Sequence, residues 1–151
     1  MNGVATEAKE SKGYVNVDIS DEHTEIELSF EMKARFLRAN PLVRADIGKV
    51  ALMKGPLVYC LEEQDNASNL SNVFVASGCN IDEEFNKDLL GGAISLTFDG
   101  YRLKPDGWND NTLYSELKND FEKVKLKAVP YCYWGNREKN KEMLVWMKER
   151  L

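Results

Sequence analysis

The residues best suited to bind a sugar, Trp108, Asn109 and Asp110, lie in the second half of the chain. They follow Pro105-Asp106-Gly107, a strong turn signal that predicts a loop. An exposed Trp ring can stack on the apolar face of a sugar, because it presents a large apolar surface with a polar edge. Neighbouring amide and carboxylate groups can hydrogen-bond to the hydroxyls. The competing interpretation, which the sequence favours, is that Trp108 packs back over an edge of the fold.

A second concentration of aromatic residues occupies Ala128–Met147, which reads AVPYCYWGNREKNKEMLVWM. It is either a sugar-stacking platform or a β-hairpin whose core residues stand out in the sequence. Residues on both faces of its first half are apolar, as expected for a strand buried between layers. The sequence therefore predicts paired antiparallel strands at Val129–Trp134 and Met143–Met147. It also predicts that Cys132 and Trp146 are buried.

Paired carboxylates are the groups that a classical glycosidase needs. The candidates are Glu62-Glu63, Asp82-Glu83-Glu84, and Asp106 with Asp110. Consecutive side chains at the end of a strand diverge, and the second group reads as a charged surface turn. Solvated surface is the favoured interpretation, and no catalytic residue is assigned.

The three cysteines, Cys60, Cys79 and Cys132, are far apart in the sequence and odd in number. No C-x-x-C motif is present, and the single histidine, His23, lies near none of them in sequence. This spacing argues against a zinc site and favours buried free thiols. The sequence therefore predicts no metal site and no cofactor.

In the elements that must position these residues, apolar and polar side chains alternate with a period of two, which is the pattern of half-buried strands. Strand signals recur about every ten residues with turn residues between them, which is typical of all-β folds. The predicted fold is an antiparallel, jelly-roll-like β-sandwich with at most short helical turns, one of them at Ile81–Leu90. The predicted strands are Tyr14–Ser20, Glu25–Met32, Lys49–Met53, Pro56–Leu61, Ala93–Phe98 and Lys123–Val129.

A polar break at Gln64–Asn72 divides the chain into two predicted modules. Residues 1–62 read as a partial first β-sandwich module, and residues 63–151 as a C-terminal β-sandwich module. The two could also pack as one unit.

The net charge of −5 and the isoelectric point near 5.0 argue against nucleic acid or an anionic membrane surface as a partner. No apolar run approaches the roughly 20 residues that a membrane helix needs. The polar N-terminal sequence lacks the apolar core of a signal peptide. The expected location is cytoplasmic or periplasmic, depending on the parent protein.

Three strings in a fixed order carry a family resemblance. Lys49–Glu62 reads KVALMKGPLVYCLE, Val129–Arg137 reads VPYCYWGNR, and Glu142–Met147 reads EMLVWM. Together they closely resemble the C-terminal, β-rich end of glycoside hydrolase family 127, the β-L-arabinofuranosidase family. The sequence departs from the family at 138–141, where Glu-Lys-Asn-Lys stands in place of a glycine-rich tip.

The resemblance implies that catalysis belongs to an α/α barrel upstream of these modules. In the family, a cysteine nucleophile is held there on zinc by a glutamate and further cysteines, two of them adjacent in sequence. No two cysteines of this sequence are adjacent, so no catalytic or metal role is carried onto it.

The resemblance therefore implies a non-catalytic, ancillary region that braces the catalytic barrel of a longer or neighbouring chain, or supports a homodimer. The alternative is a stand-alone carbohydrate-binding module. A brace is expected to expose a sizeable apolar patch, whereas a binding module is expected to expose an aromatic groove with polar neighbours.

Overall fold

The computed structural model describes residues 1–7, 9–19, 22–89, 91–105, 111–114, 116 and 120–150. The chain divides into two compact units, Met1–Glu31 and Met32–Leu151. Among the described residues the regular structure is almost entirely β, with one helical turn, α1, at Glu63–Asn66 and short 3-10 turns. Within the described ranges, no helix is long and apolar enough to cross a membrane.

In the described part of the N-terminal unit, β1 (Glu10–Ser11) pairs with β2 (Tyr14–Val15) in a small hairpin. Its turn, Lys12-Gly13, has φ of 53° and 81°, which suits a tight two-residue hairpin turn. The sequence predicts strands at Tyr14–Ser20 and Glu25–Met32. Among the described residues, only Tyr14–Val15 of these segments forms a strand, β2. An alternating segment becomes a strand only where a neighbouring edge accepts its backbone hydrogen bonds, and these segments have no such ladder. Their apolar side chains are exposed, including Val17, Ile19, Ile26, Leu28 and Phe30.

The second unit is built on one continuous sheet. Its strands are β3 (Ala34–Leu37), β4 (Lys49–Lys54), β5 (Leu57–Glu62), β6 (Val73–Ala76), β7 (Ile81–Asn86), β8 (Ala93–Leu103), β9 (Phe121–Pro130), β10 (Met143–Leu144) and β11 (Met147–Arg150). Six of them close a barrel in the order β4-β5-β9-β8-β6-β11 and back to β4. Strands β3, β7 and β10 extend this barrel by pairing with β4, β8 and β5.

The all-β prediction is confirmed, but the predicted β-sandwich is wrong, because the sheet closes on itself. Closure depends on β11, which pairs antiparallel with β4 and parallel with β6, opposing Lys148 to Phe74. A strand shows the same alternation in a sandwich and in a barrel. The pairing of two distant segments that distinguishes the folds leaves no local signal in the sequence.

The predicted strands at Lys49–Met53, Ala93–Phe98 and Lys123–Val129 are confirmed as parts of β4, β8 and β9. Pro56–Leu61 is confirmed as part of β5 except for Pro56, which lies in the turn before the strand. The helical turn suggested at Ile81–Leu90 is wrong, because residues 81–86 form β7. The reason is the length of β8, whose 11 residues extend beyond its pairing with β6. Its first half is left free for β7.

Two hydrophobic cores lie on opposite faces of β5, as the alternation of its side chains requires. Tyr59 and Leu61 belong to the larger core, in which Phe98 is fully buried and meets the ring of Phe36 edge-on at 5.2 Å. Cys60 belongs to the smaller core on the other face. That smaller core contains Cys60, Leu89, Ala93 and Val129, with Tyr133, Met143 and Val145 packed against it.

Strands from both sides of residue 62 contribute to the barrel. The modules 1–62 and 63–151 stay a prediction.

Candidate functional site

The residues predicted to contact sugar, Trp108, Asn109 and Asp110, lie outside the described residues. Their role stays a prediction.

The aromatic segment after β9, residues 131–134, does not form the hairpin that the sequence predicted. Strand β9 ends at Pro130, and Tyr131–Tyr133 form a 3-10 turn. Both edges of β9 are already occupied by β8 and β5, so no edge remains for a returning strand. The predicted return segment instead divides into β10, which pairs with β5, and β11, which lies between β4 and β6.

This course places part of the aromatic segment on the surface. Tyr131 is 43% exposed and Trp134 is 46% exposed. Their ring planes lie within 13° of each other, with centroids 6.1 Å apart. Cys132 is exposed, contrary to the prediction that it is buried, and Trp146 is half-buried.

Two aliphatic residues at the start of β5 are also partly exposed, Leu57 by 41% and Val58 by 36%. The alternation of β5 turns these two side chains to opposite faces of the strand, so they do not share one surface. We call the surface formed by the stacked rings of Tyr131 and Trp134 the aromatic patch.

A buried ion-pair cluster anchors the loop that carries the patch. The Arg137 guanidinium donates to the carboxylates of Glu62 and Asp65, with Nη1 3.2 Å from Asp65 Oδ1. The Glu62 side chain is only 4% exposed, and that of Arg137 19%. Glu62 also accepts from the backbone N–H of Gly135 at 3.3 Å, and from the amide of Gln64 at 2.6 Å. This loop is therefore fixed by side-chain contacts instead of strand pairing.

The charge of Arg137 is secured by these carboxylates. Burial opposes that charge, but hydrogen bonds and attraction from Asp65 and Glu62 outweigh it and raise the pKa of Arg137. The Arg137 Nε–H is buried and has no acceptor among the described residues. The prediction that Glu62 lies on a solvated surface is wrong, because its side chain is only 4% exposed. One feature of the sequence did indicate that Glu62 is buried: it directly follows the apolar run of β5.

A second set of contacts ties the far end of the same loop to α1. The Glu63 carboxylate accepts from the backbone N–H of Glu142 at 3.0 Å, and this hydrogen bond, together with the nearby Lys141, lowers the pKa of Glu63. Glu142 in turn accepts from the Leu70 N–H at 2.7 Å. The side chains of Glu62 and Glu63 therefore point to different partners, as their adjacent positions predicted. They do not form a catalytic pair.

In the other described group of carboxylates, Asp82-Glu83-Glu84, Glu83 is committed to a structural contact. It pairs with Lys54 at 2.5 Å, and the side chain of Lys54 is 9% exposed. The same ammonium group donates to the carbonyl of Met32. This contact links β7 to the start of the barrel unit.

The three cysteines are free and lie in different environments. Burial, with a smaller contribution from the charge of Glu62, raises the pKa of the Cys60 thiol to about 12. Burial also raises the pKa of Cys79, which is half-buried. Within the part of the chain that the structure describes, no group of three or more His, Cys, Asp or Glu residues could hold a metal ion.

Each unit also carries a cavity. In the barrel unit, a cavity of about 280 Å³ is lined by residues that include Cys79, Asp99, Tyr101 and Lys123. In the N-terminal unit, a groove of about 760 Å³ is lined in part by the exposed apolar side chains of the unpaired segments. Neither brings together a nucleophile, a base and a group that orients the base, which nucleophilic catalysis needs.

Comparison with known proteins gives one consistent result. The sequence profile of the glycoside hydrolase family 127 C-terminal domain matches residues 34–148. A non-reducing end β-L-arabinofuranosidase of Bifidobacterium longum subsp. longum is 37% identical over 144 residues, which cover 91% of this chain and 22% of that protein.

Solved structures agree with the sequence comparisons. A GH127 β-L-arabinofuranosidase of Geobacillus stearothermophilus T6 superposes with a TM-score of 0.74 at 41% identity, covering 79% of this chain and 18% of that one. A second GH127 β-arabinofuranosidase gives a TM-score of 0.67 at 31% identity, covering 80% and 18%. This chain thus spans about a fifth of the length of the relatives that it matches. Because the family profile matches most of its length, this chain belongs to glycoside hydrolase family 127, and it corresponds to the C-terminal domain of that family.

Proposed function

We propose that this chain is a non-catalytic, ancillary region of a family 127 hydrolase of β-L-arabinofuranosidase type. It would brace a catalytic α/α barrel carried by a longer or neighbouring chain, or support a homodimer of such an enzyme. The observation that carries this proposal is that residues 32–151 form a barrel with its own core, yet correspond to only about a fifth of the relatives' length.

The chemistry of the described side chains supports a bracing role. The buried carboxylate of Glu62 is neutralised by Arg137, and Glu83 is paired with Lys54. A glycosidase acid needs a raised pKa and a partner across the scissile bond. These carboxylates are instead engaged in contacts that hold one segment of the chain to another.

The N-terminal unit supports a role as part of a larger assembly. Its two alternating segments expose apolar side chains and line a groove of about 760 Å³. We propose that they are strands of the partial first module, residues 1–62, and that they pair with strands of the parent protein outside this sequence.

A stand-alone carbohydrate-binding module is the second candidate. It is favoured by the half-exposed, nearly parallel rings of Tyr131 and Trp134. Trp108, Asn109 and Asp110 remain proposed sugar contacts under this alternative.

Hydrolysis of an aryl β-L-arabinofuranoside by the purified chain tests the proposal, with the Geobacillus relative as positive control. The expected result is release of the aryl group at the rate of buffer alone. Turnover that a substitution in this chain abolishes would make it an enzyme and overturn the proposal. Arabinose-dependent quenching of Trp fluorescence, lost in Trp134→Ala or Trp108→Ala, would favour the binding module.

A further inference from the structure

The aromatic patch presents two neighbouring rings to solvent. Tyr131 is 43% exposed and Trp134 is 46% exposed, and their nearly parallel rings have centroids 6.1 Å apart. Apolar patches on ordered surfaces commonly mark interaction sites, and Tyr and Trp are enriched at the centres of protein interfaces.

The structure holds this patch in place. Arg137 ties the loop to Glu62 and Asp65, and Tyr133 packs into the smaller core beside Cys60. Glu63 and Glu142 fix the end of the loop. A surface that is ordered before binding loses little conformational entropy when it docks.

The polar groups beside the rings favour a protein partner over a sugar. The Gly135 N–H donates to Glu62, and the Asn136 amide donates to the carbonyl of Tyr133. The Arg137 guanidinium is directed into the domain. Sugar recognition needs convergent polar groups around the ring that stacks. Here the polar groups of residues 135–137 are already engaged in hydrogen bonds within the domain.

We infer that the aromatic patch is the surface by which this domain packs against the rest of a family 127 hydrolase chain. The inference rests on the proposed function. The relatives supply the occupant, because about four-fifths of their length lies outside the segment that this chain matches. A second copy of this chain and a free sugar are the competing occupants.

The test uses the Geobacillus relative truncated before the segment that matches this chain. Isothermal titration and sedimentation measure its association with the wild-type chain, with Tyr131→Ser/Trp134→Ser, and with Leu42→Ser. Leu42 is the matched control, because it is apolar and 87% exposed. It precedes the start of β4, and the β4–β5 turn lies at the opposite end of that strand.

The exposed thiol of Cys132 adds a footprint within the patch, and the buried Cys60 is its internal control. We expect the truncated enzyme to slow alkylation of Cys132 at least tenfold. We also expect the double variant to weaken association at least tenfold, while Leu42→Ser leaves it unchanged. The unfolding midpoint of each isolated variant, close to that of the wild type, verifies that the fold is intact.

The outcomes separate this inference from the proposed function. One outcome would overturn the patch assignment and leave the bracing role standing. In that outcome the wild-type chain binds the truncated enzyme, but Cys132 stays reactive in the complex and the double variant binds as tightly as the wild type. Equal weakening by Leu42→Ser would also overturn the patch assignment. If the wild-type chain does not bind, both fail. Patch-dependent self-association without the enzyme, or patch-dependent binding of arabinose alone, would assign the patch to the other occupants and overturn the inference.

Discussion

Replacement of Arg137 by methionine tests whether the buried ion-pair cluster holds the loop that carries the aromatic patch. Methionine keeps the apolar stem of the arginine and removes its charge. The change leaves Glu62 buried, with its side chain 4% exposed, and without its cationic partner. Asp65 loses the same partner.

The expected cost follows from what remains around Glu62. Removal of one partner of a buried ion pair costs about 3–5 kcal/mol, because a charge stays buried without compensation. Glu62 keeps its hydrogen bonds from Gln64 and Gly135, and the Arg137 side chain is 19% exposed. We therefore expect a value near the lower end, about 3 kcal/mol.

Urea unfolding followed by Trp fluorescence measures this cost. With an m-value of about 1.5 kcal/mol/M, the midpoint of Arg137→Met is expected to fall by roughly 2 M. Lys141→Met is the control, because its ion pair with Glu63 is long at 3.5 Å and its side chain is 41% exposed. A change within about 0.5 kcal/mol is expected there.

A double variant, Glu62→Gln with Arg137→Met, separates loss of the pair from burial of an unpaired charge. Because it removes both groups, it should unfold at a higher urea concentration than Arg137→Met alone. The reasoning is refuted if Arg137→Met shifts stability no more than the Lys141 control. It is equally refuted if neutralising Glu62 in the Arg137→Met background recovers no stability.

Three further predictions concern the core and the thiols. Phe98→Ala should destabilise the chain by about 3–5 kcal/mol in the same urea titrations, because the side chain is fully buried. Lys139→Ala, in the exposed loop, should change the free energy of unfolding by no more than about 0.5 kcal/mol. Iodoacetamide at pH 8, followed by peptide mass spectrometry, should modify Cys132 rapidly and Cys60 only on unfolding, and rapid modification of Cys60 would contradict its burial. The stability contributed by the neutral Cys60 thiol should be complete below about pH 9 and be lost as the pH approaches 12, because folding raises the pKa of Cys60 from 9.0 to about 12 and the unfolded chain therefore ionises first. Cys60→Ala should flatten the fall in stability between about pH 9 and 12, and an unchanged slope would be evidence against this linkage.

The sequence predicted the strands that lie in the middle of the barrel. Lys49–Met53 and Pro56–Leu61 are nearly continuous apolar runs, and they fall largely within β4 and β5, two strands that each have pairing partners on both sides. Their apolar character is a local property of composition, so it is visible without knowledge of the partners.

The parts that the sequence did not predict depend on partners far along the chain. Val129–Trp134 has the composition of a strand, but β8 and β5 occupy both edges of β9, and the chain leaves the sheet after Pro130. Arg137 lies 75 residues from Glu62, so no spacing rule connects them. The alternation of Glu25–Met32 is a true strand pattern without a neighbouring edge among the described residues.

The measurement that tests the central claim most directly is the thermal inactivation rate of the truncated Geobacillus relative, with and without this chain. A non-catalytic brace is predicted to slow inactivation in a saturable manner while showing no hydrolysis of an aryl β-L-arabinofuranoside by itself. An unchanged inactivation rate at saturating concentrations, or hydrolysis by the chain alone, would contradict the account.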